Sequence, residues 1–157
     1  MTEPLRISQA RSAADMIAVR ELFVEYAEAI QVDLCFQQFD EELEKLPSRY
    51  APPAGELLLA YASNDQAGCV GMRDLGEGIA EMKRLFVKPA YRSARLGRRL
   101  VEQIIKVAKE RGYQRMRLDT LASMESAIGL YELLGFVEIK SYCHNPIAGA
   151  RYFELSL

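Results

Sequence analysis

The chain has 157 residues, 50% of them apolar and 27% charged, the proportions of one soluble domain, 1–157, with a core of its own. It has no run of about eighteen apolar residues and no apolar signal core near the start, which argues against a membrane span or secretion and for the cytoplasm. Cys35, Cys69 and Cys143 are odd in number and form no CxxC pair, which excludes a disulfide frame or a zinc cluster, so no metal is expected.

Residues 5–10 read as a short first strand. From Ala13 to about Val32, the residues Met16, Val19, Leu22, Phe23, Tyr26 and Ile30 recur at helical spacing, with Asp15 near the positive end of the helix dipole. Residues 39–46 predict a short second helix capped by Asp40. The run PSRYAPPAG, with three prolines and a glycine, is a loop. Residues 56–63 and 67–75 are strands around the turn NDQ, and GEG leads into a third strand over 79–87. Strict alternation puts Met82, Arg84 and Phe86 on one face of that strand, and Glu81, Lys83, Leu85 and Val87 on the other. These three strands should form an antiparallel meander that Pro89 closes.

Leu96, Leu100, Ile104 and Val107 mark a long amphipathic helix stopped by Gly112. RMRLDT (115–120) is a strand. A helix follows from about Met124 to Leu134, with Ser123 as N-cap and the glycine of LGF as C-cap. FVEIK and RYFELSL supply the last strands around the loop CHNPIAGA. The order β-α-α-β-β-β-α-β-α-β-β is that of a mixed sheet with helices packed on it.

Residues 83–117 hold twelve of the twenty lysines and arginines but only Glu102 and Glu110 among the acids, although the whole chain carries a net charge of −2. A local positive field on a mildly acidic body suits a compact anion better than a long nucleic acid, and solvated surface is the plain alternative. The turn YRSARLG feeds a helix whose first N–H groups lack partners, a ready anion site. Only Ser93 is able to cap them through its side chain. Gly97 suits either close approach of a ligand to backbone or close packing of helix on strand.

RLFVKPAYRSARLGRRL resembles the acetyl-CoA-binding motif of the GNAT acetyltransferases, a strand with V-x-P followed by R/Q-x-x-G-x-G/A at a helix start. Val87, Lys88 and Pro89 match the first part, and Arg92 and Gly97 the ends of the second. The interior glycine is Arg95 here. AIGLYELLGF (127–136) looks like the second signature of that family, with Met124 where an asparagine often stands. The resemblance spans essentially the whole chain, and bacterial members without an assigned acceptor have a similar C-terminal tail. It implies an α/β (α+β) GNAT fold: a mixed, mostly antiparallel sheet of about seven strands, flanked by about four helices and splayed between strands four and five.

The same resemblance implies acetyl-CoA as donor substrate and a primary amine of a small molecule or peptide as acceptor. Backbone of Leu85, Phe86 and Val87 would pair with the pantetheine arm. The turn from Arg92 through Ser93, Ala94, Arg95, Leu96 and Gly97 to Arg98 would hold the pyrophosphate. Arg95 fits that turn if its backbone stays at negative φ, where a side chain is unstrained.

Transfer to an amine needs a neutral nitrogen and a protonated leaving sulfur. Glu81 is the candidate base, or else a strand carboxylate paired with Lys83 or another cation. Tyr131 matches the family tyrosine that protonates the thiolate, or else is a core side chain. The cysteines have no histidine beside them except His144 next to Cys143, and lone His144 suits a surface or capping role, so attack is expected to be direct. Glu25, Glu28, Asp33, Asp40, Glu41, Glu42 and Glu44, with Tyr26, Phe36 and Tyr142, would make an acidic, partly aromatic acceptor rim that draws a cationic amine; solvated helix faces are the alternative. A CoA-binding regulatory module keeps the same fold with little turnover. A nucleic-acid-binding domain fits less well, because no aromatics interleave the arginines. A homodimer is compatible with the family.

Overall fold

The computed structural model describes residues 4–30, 38–143 and 145–157, the side chain of Ser93 excepted; Asp33, Cys35, Phe36 and His144 lie outside them. Seven strands and four helices follow one another: β1 (Leu5–Gln9), α1 (Ala13–Ile30), α2 (Phe39–Glu44), β2 (Glu56–Ala62), β3 (Asp65–Gly76), β4 (Ile79–Val87), α3 (Leu96–Glu110), β5 (Arg115–Leu121), α4 (Glu125–Leu133), β6 (Val137–Ile139) and β7 (Ala150–Ser156). They form one sheet in the order β1-β2-β3-β4-β5-β7-β6. All neighbours are antiparallel except β4 and β5. This is the GNAT architecture that the sequence motifs imply.

Alternation along the strands divides the core. In β2, Leu58, Ala60 and Ala62 point to the layer of α3 and α4, while Leu57 and Leu59 point to α1 and α2. The buried stripe of α3 (Leu96, Leu100, Val101, Ile104, Val107 and Ala108) fills the first layer. Each of its larger side chains contributes about 1.5–3 kcal/mol by leaving water. On the other face Val19, Leu22 and Phe23 of α1 pack with Phe39, Tyr50 and Phe86.

Two features of β4 position the site. The strand pairs with β5 only at Ile79↔Arg115, Ala80↔Met116 and Glu81↔Arg117, and beyond that the strands part. Just past the fork Arg84 has φ +60°, and the register with β3 slips between Cys69 and Gly71, so β4 carries a bulge. The bulge corrects the expected alternation. Met82 shares its face with Leu85 and Val87, against α3, while Phe86 lies in the α1 layer. Arg84 turns away from Met82 to meet Glu42.

Left-handed backbone is unfavourable for a residue with a side chain, so something must hold it. The Arg84 guanidinium donates to both Glu42 carboxylate oxygens, at 3.0 and 3.3 Å, and lies over the Tyr26 and Phe39 rings. One buried ion pair thus fixes the bend and docks α2 beneath the sheet.

The helix starts differ from expectation in a common way. α2 is capped by Gln38 rather than Asp40, α4 by Met124 rather than Ser123, and α3 by Arg95 rather than Ser93, none with a side-chain hydrogen bond. Arg95 also departs from the expected negative φ: it stands at +56°, the left-handed position that a glycine takes without strain.

Candidate active site

The fork in the sheet opens a cavity of about 690 Å³ between the free end of β4 and the N-termini of α3 and α4. Leu85, Phe86 and Val87 line one wall, and Arg92, Arg95, Gly97 and Arg98 line the end. The β5-facing edge of β4 has no strand partner here among the described residues, so its backbone groups are available to an extended ligand. At the end wall the N-cap residue of α3, Arg95, makes no side-chain bond to the first N–H groups, and Arg92 folds back to donate from Nε to the Val87 carbonyl at 3.0 Å.

Gly97 separates the two explanations for a glycine at this place. A Cβ there would stand 3.8 Å from Val87 Cγ2 and 4.0 Å from Leu130 Cδ2, ordinary contacts. Neither packing nor backbone shape therefore demands glycine. What a methyl group would occupy is the cradle itself. The residues present fit a diphosphate: free helical N–H donors, a floor without side chain and arginines around it. Ala94 ends the preceding turn in an exposed position, and Leu96 gives its side chain to the core.

A narrow cleft of about 40 Å³ continues inward between β4 and β5, lined by Tyr26, Met82, Lys83, Leu85, Asp119, Tyr131 and Asn145 among others. Tyr131 is buried between Phe136 and Phe153, and burial pushes its hydroxyl pKa up, so it stays protonated. Lys83 of β4 and Asp119 of β5 meet across the fork at 3.3 Å, both nearly closed to water, and Asn145 donates to the other Asp119 oxygen at 3.1 Å.

Beyond that pair lies a second cavity of about 500 Å³. Glu81 borders it, 2% exposed, accepting from Arg73 Nε at 2.7 Å and from the Tyr142 hydroxyl at 2.6 Å. Burial and the neighbouring Glu81 carboxylate raise the Tyr142 pKa, so its proton stays in place. The partner of Glu81 is thus Arg73, not Lys83. Arg117 lies over the Tyr142 ring and bonds Glu154 at 2.7 Å, which anchors the aromatic wall.

The expected residues are thereby sorted. Leu85–Val87 and the Arg92–Arg98 turn surround the first cavity, Tyr131 lies in the cleft, and Glu81 faces the second cavity. Arg73, Lys83, Asp119 and Asn145 join the site without having been singled out. The acids expected as an acidic rim do not form one among the described residues. Only Glu41 and Glu42 of that set line the second cavity, held by Lys45 at 2.6 Å and by Arg84 at 3.0 Å.

A mixed sheet forked between β4 and β5, with one cavity at the helix starts and a second beyond the fork, is the architecture of the GNAT transferase fold. Comparison with known proteins agrees. The profile of the acetyltransferase (GNAT) family matches residues 16–136. The chain is 37% identical to an uncharacterized N-acetyltransferase of Schizosaccharomyces pombe over 98% of its own length and 95% of the relative's. In three dimensions it overlays an acetyltransferase of the GNAT family from Staphylococcus aureus Mu50 with TM-score 0.80, at 22% identity, covering 98% and 99% of the two chains. It likewise overlays PaiA N-acetyltransferase from Thermoplasma acidophilum, solved in complex with coenzyme A, with TM-score 0.75 at 17% identity, covering 98% and 99%. The chain belongs to the GNAT family and is an N-acetyltransferase. Its relatives are not confined to bacteria. No described helix is long and apolar enough to cross a membrane.

Proposed function

We propose that the protein binds acetyl-CoA in the first cavity and passes the acetyl group directly to a primary amine that enters from the second. The observation carrying this reading is the continuity of the three spaces. The cleft shares Leu85 and Tyr26 with the first cavity, and Lys83 and Asp119 with the second. Acetyl-CoA would supply an activated acyl carbon on a thiolate leaving group. The Arg92–Arg98 turn would hold the diphosphate and the free edge of β4 at Leu85–Val87 the pantetheine arm. Tyr131 keeps its proton for the departing sulfur, and Glu81 is the anion on the acceptor side that takes the amine's proton. As the N–C bond forms and the C–S bond breaks, one proton passes to Glu81 and one leaves Tyr131, and exchange with solvent restores both.

Direct attack is supported by the state of the described cysteines. Cys69 is wholly buried, its thiol pKa pushed up by burial, and Cys143 is raised to about 11 by the same cause. Neither offers a thiolate near neutral pH.

The test has two stages. Acetyl-CoA should raise the melting temperature of the protein, and a panel of amines should then release CoA thiol. Tyr131→Phe should lower kcat by about 10²-fold or more with little change in the KM for acetyl-CoA. Unchanged turnover would remove Tyr131 from the mechanism. Tight acetyl-CoA binding with no thiol release from any amine would favour a CoA-binding module instead.

A further inference from the structure

We infer that the acceptor is an amine that also carries a carboxylate, an amino-acid-like molecule anchored in the second cavity by Arg73 and Arg49. This rests on the reading of that cavity as the acceptor site. Charge matching comes first. The carboxylates lining the cavity are Glu41, Glu42, Glu81 and Asp119, and each already holds a cation: Lys45, Arg84, Arg73 and Lys83 respectively. Arg49 remains. Its only side-chain hydrogen bond among the described residues is one of 3.2 Å to the Asp74 backbone carbonyl, and it has no carboxylate partner among them. A purely cationic acceptor would have to break an existing pair, whereas an anionic group finds an uncommitted cation.

Donor capacity points the same way. Arg73 is 18% exposed and gives Glu81 its Nε alone, so among the described residues both terminal nitrogens are unbonded at the cavity wall. A guanidinium presents those nitrogens in a fork that matches the two oxygens of a carboxylate. Tyr50 borders the same space. Its ring fits against Gly71, where a Cβ would come within 2.9 Å of it, and its buried hydroxyl has no hydrogen-bond partner among the described residues.

Position supplies the direction of binding. Arg49 comes from the turn after α2, whereas the cleft adjoins the cavity at the Lys83–Asp119 pair of β4 and β5. A molecule with its carboxylate on Arg73 and Arg49 presents its other end toward Glu81 and the cleft, where the amine must be. A chamber of about 500 Å³ is of small-molecule size.

The experiment compares matched acceptors on the acetyl-CoA-saturated protein by CoA thiol release. Each amino acid of a full set is assayed beside its methyl ester and its decarboxylated amine. The expected result is a kcat/KM at least about tenfold higher for free carboxylates, as loss of a charge-assisted hydrogen bond implies. Arg49→Met, a change at an exposed residue, should shrink that preference by raising the KM of the free amino acids more than that of the esters; Arg73→Lys should shrink it further. Esters or decarboxylated amines used as well as the amino acids would overturn the carboxylate anchor and leave acetyl transfer standing. A preference that survives both substitutions would also overturn it. Bound acetyl-CoA with no thiol release from any member would overturn the amino-acid acceptor, and silence across the wider amine panel as well would overturn acetyl transfer itself.

Discussion

Arg95 stands at φ +56° at the mouth of the cradle, where the family motif has a glycine. The side chain therefore has a conformational cost and, beside the cavity, a charge to contribute. Arg95→Gly should raise stability by about 0.5–1 kcal/mol, through relief of the left-handed strain less the entropy glycine adds to the unfolded chain. The same change should weaken acetyl-CoA binding in calorimetry, and tighter binding would show that the arginine hinders. Gly97 two residues on should respond in the same sense, for a different reason. With only ordinary contacts awaiting a Cβ, Gly97→Ala should leave the melting temperature unchanged or higher while acetyl-CoA affinity falls. Equal affinity would mean that the ligand does not approach this backbone closely.

At the scale of elements, β4 is the decisive strand, and its bend depends on a residue the sequence disguises. Met82, Arg84 and Phe86 alternate as in a straight strand. No local pattern distinguishes that from a bulge held by Glu42, forty-two residues away. The turn bordering the first cavity, by contrast, was legible as a turn and helix start, because these and the cluster of arginines are consecutive in the chain. The acceptor side was not: Tyr142 reaches Glu81 across sixty-one residues, and Lys83 reaches Asp119 across thirty-six. The helix caps misled for a related reason. Ser123 and Asp40 suit capping chemically, but the helices begin where packing places them. Arg84→Met should cost about 3–5 kcal/mol in denaturant unfolding, because it leaves the buried Glu42 carboxylate without this partner. Arg84→Met with Glu42→Leu should recover much of the loss, and absence of recovery would show that the pair is not what holds the bulge.

Over the whole molecule, β2 is tied to its surroundings by Glu56, fully buried at its start. It accepts from Arg11 at 2.6 and 2.9 Å, from Arg111 at 2.7 Å and from the Leu57 N–H at 2.9 Å, joining the segment before α1 to the end of α3. Burial alone would raise the Glu56 pKa, but the Arg11 hydrogen bond, the Leu57 N–H and the charges of Arg11 and Arg111 outweigh it and hold the pKa down. A depressed folded-state pKa adds stability above the unfolded value near 4.5, and that stability is lost as the pH falls through the folded value. Glu56→Gln should therefore destabilise most at neutral pH, and the gap to the unsubstituted protein should narrow below about pH 4. A gap independent of pH would assign the loss to packing.

The fork between β4 and β5 has a mechanical meaning as well. Between β4 and β5 there are only three ladder pairs among the described residues, supplemented by the Lys83–Asp119 bridge and the hydrogen bond from Tyr142 to Glu81. The sheet is two leaves on a short hinge. An extended ligand lying along the free edge of β4 would act as a missing strand, so the protein would complete its own sheet only while holding its substrate.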